Sequence, residues 1–144
     1  MKLITVNEHL SVSGQIEIAD IGLLAKEGVE VVLCNRPDNE EAKQPSFSVL
    51  AAAANAAGIE AIALPFKAGK MQSAQVEEMT RLLQRGKRLH AFCRSGNRSF
   101  CLYAAAHASV GLAKKDILQQ AGVMGIAVKE IIEPYYKDGK NNEH

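Results

Sequence analysis

The chain has 144 residues, 47% of which are hydrophobic, and its 17 lysines and arginines against 16 aspartates and glutamates leave a formal charge of +1. This near-neutral balance argues against a nucleic-acid-binding protein, and no stretch approaches the roughly 20 apolar residues of a membrane-spanning helix. The length suits one domain that buries roughly 68–70% of its surface without disulfides or a structural metal, and we expect that domain over residues 1–136, followed by a polar tail over 137–144.

Short apolar runs bounded by turn residues alternate with stretches in which apolar residues recur at helical spacing. Glycines mark the ends of the predicted helices, as Gly28 and Gly86 do, and Ser73 is the predicted N-cap of the third helix. In chain order the predicted elements are strands over 3–6 and 10–13, a helix over 18–25, a strand over 29–33, a helix over 47–54, a strand over 59–66, a helix over 74–83, a strand over 87–92, and helices over about 98–108, 114–120 and 128–135.

This alternation of strands and helices predicts the fold class. Strands that alternate with helices form parallel sheets, because each helix carries the chain back to the start of the next strand. We therefore expect an α/β fold with a central, mostly parallel sheet flanked by helices on both faces. In such folds ligands bind at the carboxyl ends of the strands.

A short polar loop lies between the last predicted strand and the helix that follows it, and it reads Cys93-Arg94-Ser95-Gly96-Asn97-Arg98-Ser99. Backbone amides at such a turn, together with the positive end of the helix dipole, can hold an anion. They would also stabilise the thiolate of Cys93, which makes Cys93 a candidate nucleophile. Arg98 offers a planar fork for two oxygens of a tetrahedral anion, and Ser99 can donate a hydrogen bond to the departing thiolate.

The residues between Cys93 and Arg98 form the predicted substrate-binding cradle, in which Gly96 permits the tight turn. These residues are Arg94, Ser95, Gly96 and Asn97. The alternative is that Cys93 is a small buried core residue at the end of a strand and that both arginines are solvated. The combination of a strand end, a glycine, two arginines and a helix start around one cysteine favours the catalytic interpretation.

The loop resembles the active-site loops of the cysteine-dependent phosphatases and of the rhodanese sulfurtransferases. The order of elements resembles that of the dual-specificity protein phosphatases, through the segments Leu10-Ser11-Val12-Ser13-Gly14, Val31-Val32-Leu33-Cys34-Asn35-Arg36-Pro37 and Ile62-Ala63-Leu64-Pro65-Phe66. The chain is more similar to the bacterial beta-lactamase-hydrolase-like, phosphatase-like domain family, through Asn35-Arg36-Pro37-Asp38 with Glu40 and Glu41 and through Cys93-Arg94-Ser95-Gly96. The resemblance spans about residues 3–108 and implies a single phosphatase-like domain with the fold of the dual-specificity and protein tyrosine phosphatases.

The resemblance implies a hydrolase of phosphate monoesters. Cys93 would attack phosphorus to form a phosphocysteine that water then hydrolyses, while Arg98 and the loop amides stabilise the transition state. The expected partner is a phosphorylated or other anionic substrate, and no cofactor is needed. We also expect no metal site, because the four histidines show no ligand spacing with one another or with the cysteines.

The length of the loop supports a second activity. Four residues separate Cys93 from Arg98, whereas phosphatases of this kind place one residue more between the two. The shorter loop is the usual rhodanese pattern, in which the cradle holds the terminal sulfur of a cysteine persulfide. Sulfur transfer by Cys93 is therefore the alternative enzyme activity, and a non-catalytic module that binds anions or phosphopeptides with the same cradle is a further alternative.

The general acid is the second departure from the phosphatase pattern. Related phosphatases carry an aspartate on the loop after the strand equivalent to residues 59–66, where it protonates the leaving oxygen. Here that loop, residues 67–72, has no carboxylate, and the nearest carboxylates follow the neighbouring strand at Asp38, Glu40 and Glu41. Asp38 is the predicted acid, and the competing interpretation is that all three belong to a solvated acidic turn. Without an acid, aryl phosphates should react better than alkyl phosphates.

The three cysteines are too few for a secreted disulfide framework and fit the reducing cytoplasm. Cys34 ends the strand before Asn35, so it should open onto the same face of the sheet as Cys93. This segment resembles the tensin-like lipid phosphatases, in which a cysteine of that strand can trap the oxidised nucleophile as a disulfide. The resemblance implies that Cys34 is a redox partner of Cys93, and the alternative is a packed core cysteine. Cys101 is expected to pack in the helix after the loop.

Overall fold

The computed structural model describes residues 2–111, 114–125 and 132–134. The described residues fall into two compact units, the first within 2–70 and 86–99 and the second within 71–85 and 100–134. In chain order the elements are β1 (Ile4–Asn7), β2 (Leu10–Ser13), α1 (Ile18–Lys26), β3 (Val31–Cys34), α2 (Phe47–Ala56), β4 (Glu60–Ala63), α3 (Ser73–Gln84), β5 (Leu89–Phe92), α4 (Asn97–Ser109) and α5 (Lys114–Met124).

One five-stranded sheet with the strand order β1-β2-β5-β3-β4 forms the centre of the first unit. β1 pairs antiparallel with β2, whereas β2, β5, β3 and β4 are parallel neighbours. β3 and β5 are buried along their whole length, as expected for interior strands of a parallel sheet. The prediction of a mostly parallel sheet is therefore confirmed.

The strand register brings three chain segments to one edge of this sheet. Phe92 at the end of β5 lies level with Ser13 at the end of β2 and with Cys34 at the end of β3. The chain therefore leaves all three strands at the same carboxyl edge, where ligands bind in folds of this class. The polar loop that begins at Cys93 starts at this edge.

A hydrophobic cluster joins α1 and α2 to the sheet within the first unit. The cluster consists of Ile16, Ile21, Leu24, Val29, Val32, Cys34, Leu50, Ala54, Ile59 and Phe92. Burial of each large side chain contributes about 1.5–3 kcal/mol to the stability of the fold. α1 begins with a reciprocal capping box between Glu17 and Asp20, and α2 begins where the Ser46 hydroxyl accepts the Val49 amide at 3.3 Å.

In the second unit, α3 buries the helical stripe Val76, Met79 and Leu82. α4 and α5 are linked by the Tyr103 hydroxyl, which donates to Gln120 Oε1 at 3.0 Å. The Tyr103 ring also meets the His107 ring edge to face at 4.4 Å. No helix in the described ranges is long and apolar enough to span a membrane.

Two of the differences between the predicted and the observed element boundaries have a clear local cause. β4 ends at Ala63, because Pro65 lacks an N–H and pairing beyond the strand continues only through isolated bonds such as the Leu64 amide to Cys34 O at 2.9 Å. α3 is capped by Gln72 and not by Ser73, because the Gln72 amide donates to the Gln75 side chain in a reciprocal box. Most of the predicted helix over 128–135, and the tail over 137–144, lie outside the described residues.

Candidate active site

The loop after β5 curls around the sulfur of Cys93. The Cys93 side chain is buried, and its backbone amide donates to Ser13 O at 3.4 Å. The Gly96 amide donates to Cys93 Sγ at 3.1 Å. An N–H group aimed at the sulfur stabilises the negatively charged thiolate, which is the nucleophilic form of cysteine.

The end of β2 supports this loop through direct backbone contact. The Gln15 amide donates to Arg94 O at 3.3 Å. A Cβ atom on Gly14 would lie 2.7 Å from the same carbonyl oxygen, so only glycine fits there without a shift of the backbone. Gly96 has a φ of +96°, a conformation that side chains with a Cβ rarely adopt. The conformation of the loop therefore depends on two glycines, Gly96 within the loop and Gly14 at the end of β2.

A buried histidine ties β5 to β2 directly below the loop. His90 Nδ1 lies 2.7 Å from Ser11 Oγ, and Nε2 lies 2.8 Å from Ser13 Oγ. Because the Ser13 hydroxyl donates its proton to Gly14 O at 2.8 Å, it accepts from Nε2–H, and Nδ1 accepts from Ser11. Burial lowers the pKa of His90 to about 4, so the ring stays neutral at neutral pH and holds this arrangement.

Arg98, in the first turn of α4, is held by three hydrogen bonds. Its Nη1 and Nη2 donate to the two carboxylate oxygens of Glu40 at 2.9 and 2.8 Å. Nη1 also donates to Phe66 O at 3.0 Å. These bonds to Arg98 are the main cause that lowers the pKa of Glu40 to about 2. Glu40 is therefore a carboxylate at neutral pH and has no proton to give to a leaving group.

Glu40 also contacts a second, buried arginine. Arg36 Nε donates to Glu40 Oε1 at 2.9 Å, and Arg36 Nη2 donates to Glu41 Oε1 at 2.5 Å. Glu41 in turn lies 3.4 Å from Arg94 Nε. Glu40 and Glu41 are exposed residues of the connection between β3 and α2, as the interpretation of a solvated acidic turn expects. Both carboxylates are also ion-paired, Glu40 with Arg36 and Arg98 and Glu41 with Arg36 and Arg94.

Asp38, the predicted acid, lies on the same connection between β3 and α2. Its Oδ1 accepts the backbone amide of Phe47 at 2.8 Å, which fixes the start of α2. Its other oxygen has no hydrogen-bond partner among the described residues. The Phe47 amide therefore anchors Asp38 through Oδ1. Only Oδ2 would be available to carry a proton in catalysis.

The remaining predicted site residues occupy two environments. Arg94, Ser95 and Asn97 are exposed at the rim of the loop. Ser99 is completely buried, and its hydroxyl has no hydrogen-bond partner within the part of the chain that the structure describes. A buried hydroxyl without a partner costs free energy, so Ser99 retains a hydrogen-bond donor that no described residue uses.

Cys34, the predicted redox partner, is a buried free thiol, as is Cys93. Its thiol donates to Arg36 O at 3.3 Å. Burial raises the pKa of Cys34 to about 11, and the negative charge of Cys93 contributes to the same direction. Cys34 is therefore a thiol at neutral pH.

The sequence identified the candidate reactive residues of the site but not the residues that support them. Arg36 entered only through the family resemblance, and its role as a buried partner of Glu40 was not predicted. Its spacing of four residues from Glu40 was no usable signal, since pairs at that spacing meet regularly on a helix and this segment is not helical. No local signal marked Gln15 either, whose side chain accepts Arg36 Nη1 at 2.9 Å. Among the described residues, no three histidine, cysteine or acidic side chains form a group that could hold a metal ion.

Known proteins share this fold. A Neisseria meningitidis protein solved as a candidate phosphatase is 29% identical and aligns over 95% of this chain and 98% of its own, with a TM-score of 0.80. TpbA from P. aeruginosa, solved with pTyr, aligns with a TM-score of 0.61 at 20% identity over 92% of this chain and 89% of its own. PTPMT1, solved with PI(5)P, aligns with a TM-score of 0.76 at 15% identity over 94% and 95%. These likenesses confirm the predicted α/β fold of the phosphatase type.

Comparison with related sequences identifies the family of this chain. The Beta-lactamase hydrolase-like proteins of Agrobacterium fabrum and Xylella fastidiosa (strain Temecula1) are 28% and 29% identical over 123 residues. The aligned region is 85% of this chain and 28% of each relative, so the chain spans little more than a quarter of their length. The model of the family described as Beta-lactamase hydrolase-like protein, phosphatase-like domain, matches residues 2–110. Because this match covers well over half of the chain, the chain belongs to that phosphatase-like family.

Proposed function

We propose that the protein is a cysteine-dependent phosphatase that hydrolyses phosphate monoesters through a phosphocysteine on Cys93. The observation that carries the proposal is the Gly96 amide on Cys93 Sγ at 3.1 Å, with Arg98 held in the first turn of the following helix. A buried cysteine whose sulfur accepts the Gly96 amide, five residues before an arginine in the first turn of the next helix, is an arrangement suited to an anionic electrophile. Membership of a phosphatase-like family supports the same conclusion.

In this mechanism Cys93 Sγ attacks phosphorus and displaces the alcohol oxygen, which leaves with a proton. Arg98 and the loop amides hold the phosphoryl oxygens as their charge develops. Water then attacks the phosphocysteine, phosphate is released, and the sulfur regains its negative charge. At that step the unpartnered Ser99 hydroxyl would donate to the leaving sulfur. Arg94, Ser95 and Asn97, at the exposed rim, would contact the substrate beyond its phosphate.

The supply of a proton to the leaving group determines which substrates react. Glu40 is ionised, with a pKa of about 2, and one oxygen of Asp38 is bound to the Phe47 amide. We propose Asp38 as the acid through its other oxygen, and we expect its assistance to be weak because it is anchored to α2. Aryl phosphates, whose leaving groups need little protonation, are therefore the proposed substrates.

Aryl phosphates are expected to be hydrolysed at least about 100-fold faster than alkyl phosphates, because general acid catalysis is worth about 10²–10⁴-fold. The measurement is phosphate release by reduced protein from p-nitrophenyl phosphate and phosphotyrosine, compared with phosphoserine. Asp38→Asn is the matched variant, and loss of the alkaline limb of its pH profile would identify Asp38 as the acid. Equal rates on phosphotyrosine and phosphoserine would contradict weak acid assistance.

Sulfur transfer is the second candidate activity, and the loop length favours it. Only four residues separate Cys93 from Arg98, so the cradle is smaller than the phosphatase loops it resembles. A protein that releases no phosphate from any ester but forms thiocyanate from thiosulfate and cyanide would be a sulfurtransferase. In that case Cys93 would carry a persulfide. Binding of phosphate without either turnover would instead indicate a non-catalytic anion-binding module.

We also propose that Cys34 protects Cys93 from irreversible oxidation. Hydrogen peroxide would take two electrons from the Cys93 thiolate and leave a sulfenic acid. Cys34 Sγ would then lose its proton and attack the Cys93 sulfur, which forms the disulfide and releases water. The pKa of about 11 keeps Cys34 protonated at neutral pH, so Cys34 itself reacts slowly with peroxide.

Cys34→Ser is expected to lose activity irreversibly on exposure to hydrogen peroxide, whereas the parent recovers with dithiothreitol. The reason is that a sulfenic acid without a nearby thiol oxidises further to sulfinic acid. Activity is measured before and after reduction, and the disulfide is detected by mass spectrometry of the oxidised parent. Cys101→Ser, which removes a cysteine from α4, is the control. Full recovery of Cys34→Ser would show that Cys34 is a packing residue.

A further inference from the structure

The connection after β4 lies beside the arginine of the anion loop. Arg98 Nη1 donates to Phe66 O at 3.0 Å. A carbonyl oxygen lies about 3 Å from the next Cα atom, so the Cα of Lys67 is at most about 6 Å from Arg98 Nη1. The connection is anchored before that point, because the Leu64 amide donates to Cys34 O at 2.9 Å and the Phe66 side chain is buried. Lys67 therefore follows a fixed contact with the arginine that would hold the anion.

Two lysines stand at the ends of the tight turn that follows this contact. The Lys70 amide donates to Lys67 O at 2.9 Å, which closes a four-residue turn. Gly69, the third residue of the turn, has a φ of +75°, which is typical of that position in a type II turn. The Cα atoms at the two ends of such a turn are less than about 7 Å apart. The turn therefore presents two ammonium groups from neighbouring positions.

The two lysines differ from the arginines of the site in having no partner. The side chains of Lys67 and Lys70 are exposed, and neither forms an ion pair or a hydrogen bond with any described residue. The three arginines of the site, in contrast, all pair with glutamates of the connection between β3 and α2. The positive charge of the arginines is thus largely compensated already, whereas both ammonium groups are available to a ligand.

We propose that the turn from Lys67 to Lys70 is a second anion subsite, and that the leaving group of the substrate carries another phosphate or carboxylate group near the phosphate that reacts. The proposal rests on the proposed phosphatase function and names its substrate class. A lysine carries its ammonium group on a flexible four-carbon stem and binds anionic oxygens as a point charge. The turn can therefore engage a group attached beside the phosphate that Arg98 holds. Because residues 67–70 contain no carboxylate, this connection would bind substrate and not transfer a proton.

Calorimetry with two phosphonates tests the subsite without any turnover. Methylphosphonate and methylenebisphosphonate share one head group, but only the second carries another anionic group. We expect the parent to bind methylenebisphosphonate about tenfold more tightly than methylphosphonate. Lys67→Gln and Lys70→Gln should each weaken binding of the bisphosphonate by about two- to fivefold, the effect of one exposed charge pair. The double variant should bind both phosphonates with nearly equal Kd, and the Kd of methylphosphonate should stay at its parent value.

Two further variants serve as controls. Lys87→Gln is the matched control, because Lys87 is also exposed but precedes β5 and so lies at the opposite edge of the sheet. It should bind both phosphonates as the parent does. Arg98→Ala should weaken both phosphonates, which would show that the bisphosphonate binds at the anion loop. Substitutions at exposed turn positions change stability little, so thermal unfolding of the lysine variants should match that of the parent.

The phosphonate measurements separate this proposal from the proposed function. If the preference for the bisphosphonate depends on the two lysines but no phosphate ester is hydrolysed, the phosphatase proposal fails and the subsite stands. If p-nitrophenyl phosphate is hydrolysed but the lysine variants bind the bisphosphonate as the parent does, the subsite is overturned and the phosphatase proposal stands. Equal losses of affinity for both phosphonates in the lysine variants would also overturn the subsite, because they would indicate a general attraction of anions. So would equal affinity of the parent for the two phosphonates.

Discussion

Replacing Cys93 with serine is expected to reduce the hydrolysis of p-nitrophenyl phosphate by at least about 10³-fold, because the loss of a covalent nucleophile has effects of this order or larger. The Gly96 amide would still face the side chain at this position, but it cannot ionise a serine hydroxyl as it stabilises a thiolate. Inorganic phosphate should still bind, because Arg98 and the loop amides are unchanged. Initial rates and phosphate calorimetry on reduced protein measure the two quantities.

The control for this result is Cys101→Ser, which removes a thiol outside the anion loop. Its rate should match that of the parent within about a factor of two, as for a conservative change away from the site. Turnover of Cys93→Ser near the parent rate would exclude the phosphocysteine. Loss of both turnover and phosphate binding would instead show that the substitution had disrupted the loop, and thermal unfolding of the variant would reveal this.

Replacing Arg98 with alanine is expected to lower kcat/KM by about 10²–10³-fold, the effect of removing one preorganised donor to a developing oxyanion. The planar guanidinium is lost, and so are its bonds to Glu40 and Phe66 O. Arg98→Lys should recover little of the activity, because an ammonium group cannot bind two oxygens in a planar fork. The comparison of kcat/KM and phosphate Kd among the three proteins measures this.

Arg81→Ala, which removes an exposed arginine of α3 that pairs with Glu78, is the matched control and should leave both quantities unchanged. The pH dependence of stability offers a second readout. Since the pKa of Glu40 is about 2 against a usual value of 4.5, its ionisation stabilises the fold above pH 4.5, and this contribution is lost as the pH falls toward 2. Arg98→Ala should diminish that loss. Activity of Arg98→Lys equal to that of the parent would contradict the role of the fork.

The arrangement of elements could be predicted because local patterns determine it. β3 and β5 are continuous apolar runs, and glycines such as Gly28 and Gly86, both with positive φ, end the preceding helices. The loop from Cys93 to Ser99 was identified for the same reason, since all its residues are consecutive and lie between a strand and a helix. The resemblance to the phosphatase-like family followed from those contiguous segments and is confirmed.

The supporting contacts of the site could not be predicted in this way, because they join residues far apart in the chain. Glu40 and Arg98 are separated by 58 positions, and Ser13 and His90 by 77. The sequence offered Glu40 as a candidate acid or a solvated turn residue, and only its hydrogen bonds to Arg98 and Arg36 show that it is a carboxylate at neutral pH.

By itself, then, the sequence determined the order of strands and helices and the position of the candidate nucleophile and its loop, which depend on neighbouring residues. Only the tertiary structure decided which carboxylate holds Arg98. Glu40 follows β3 and Arg98 follows β5, and the parallel strands β2, β5 and β3 end side by side. A local sequence pattern does not encode this proximity, because it depends on how distant strands pair.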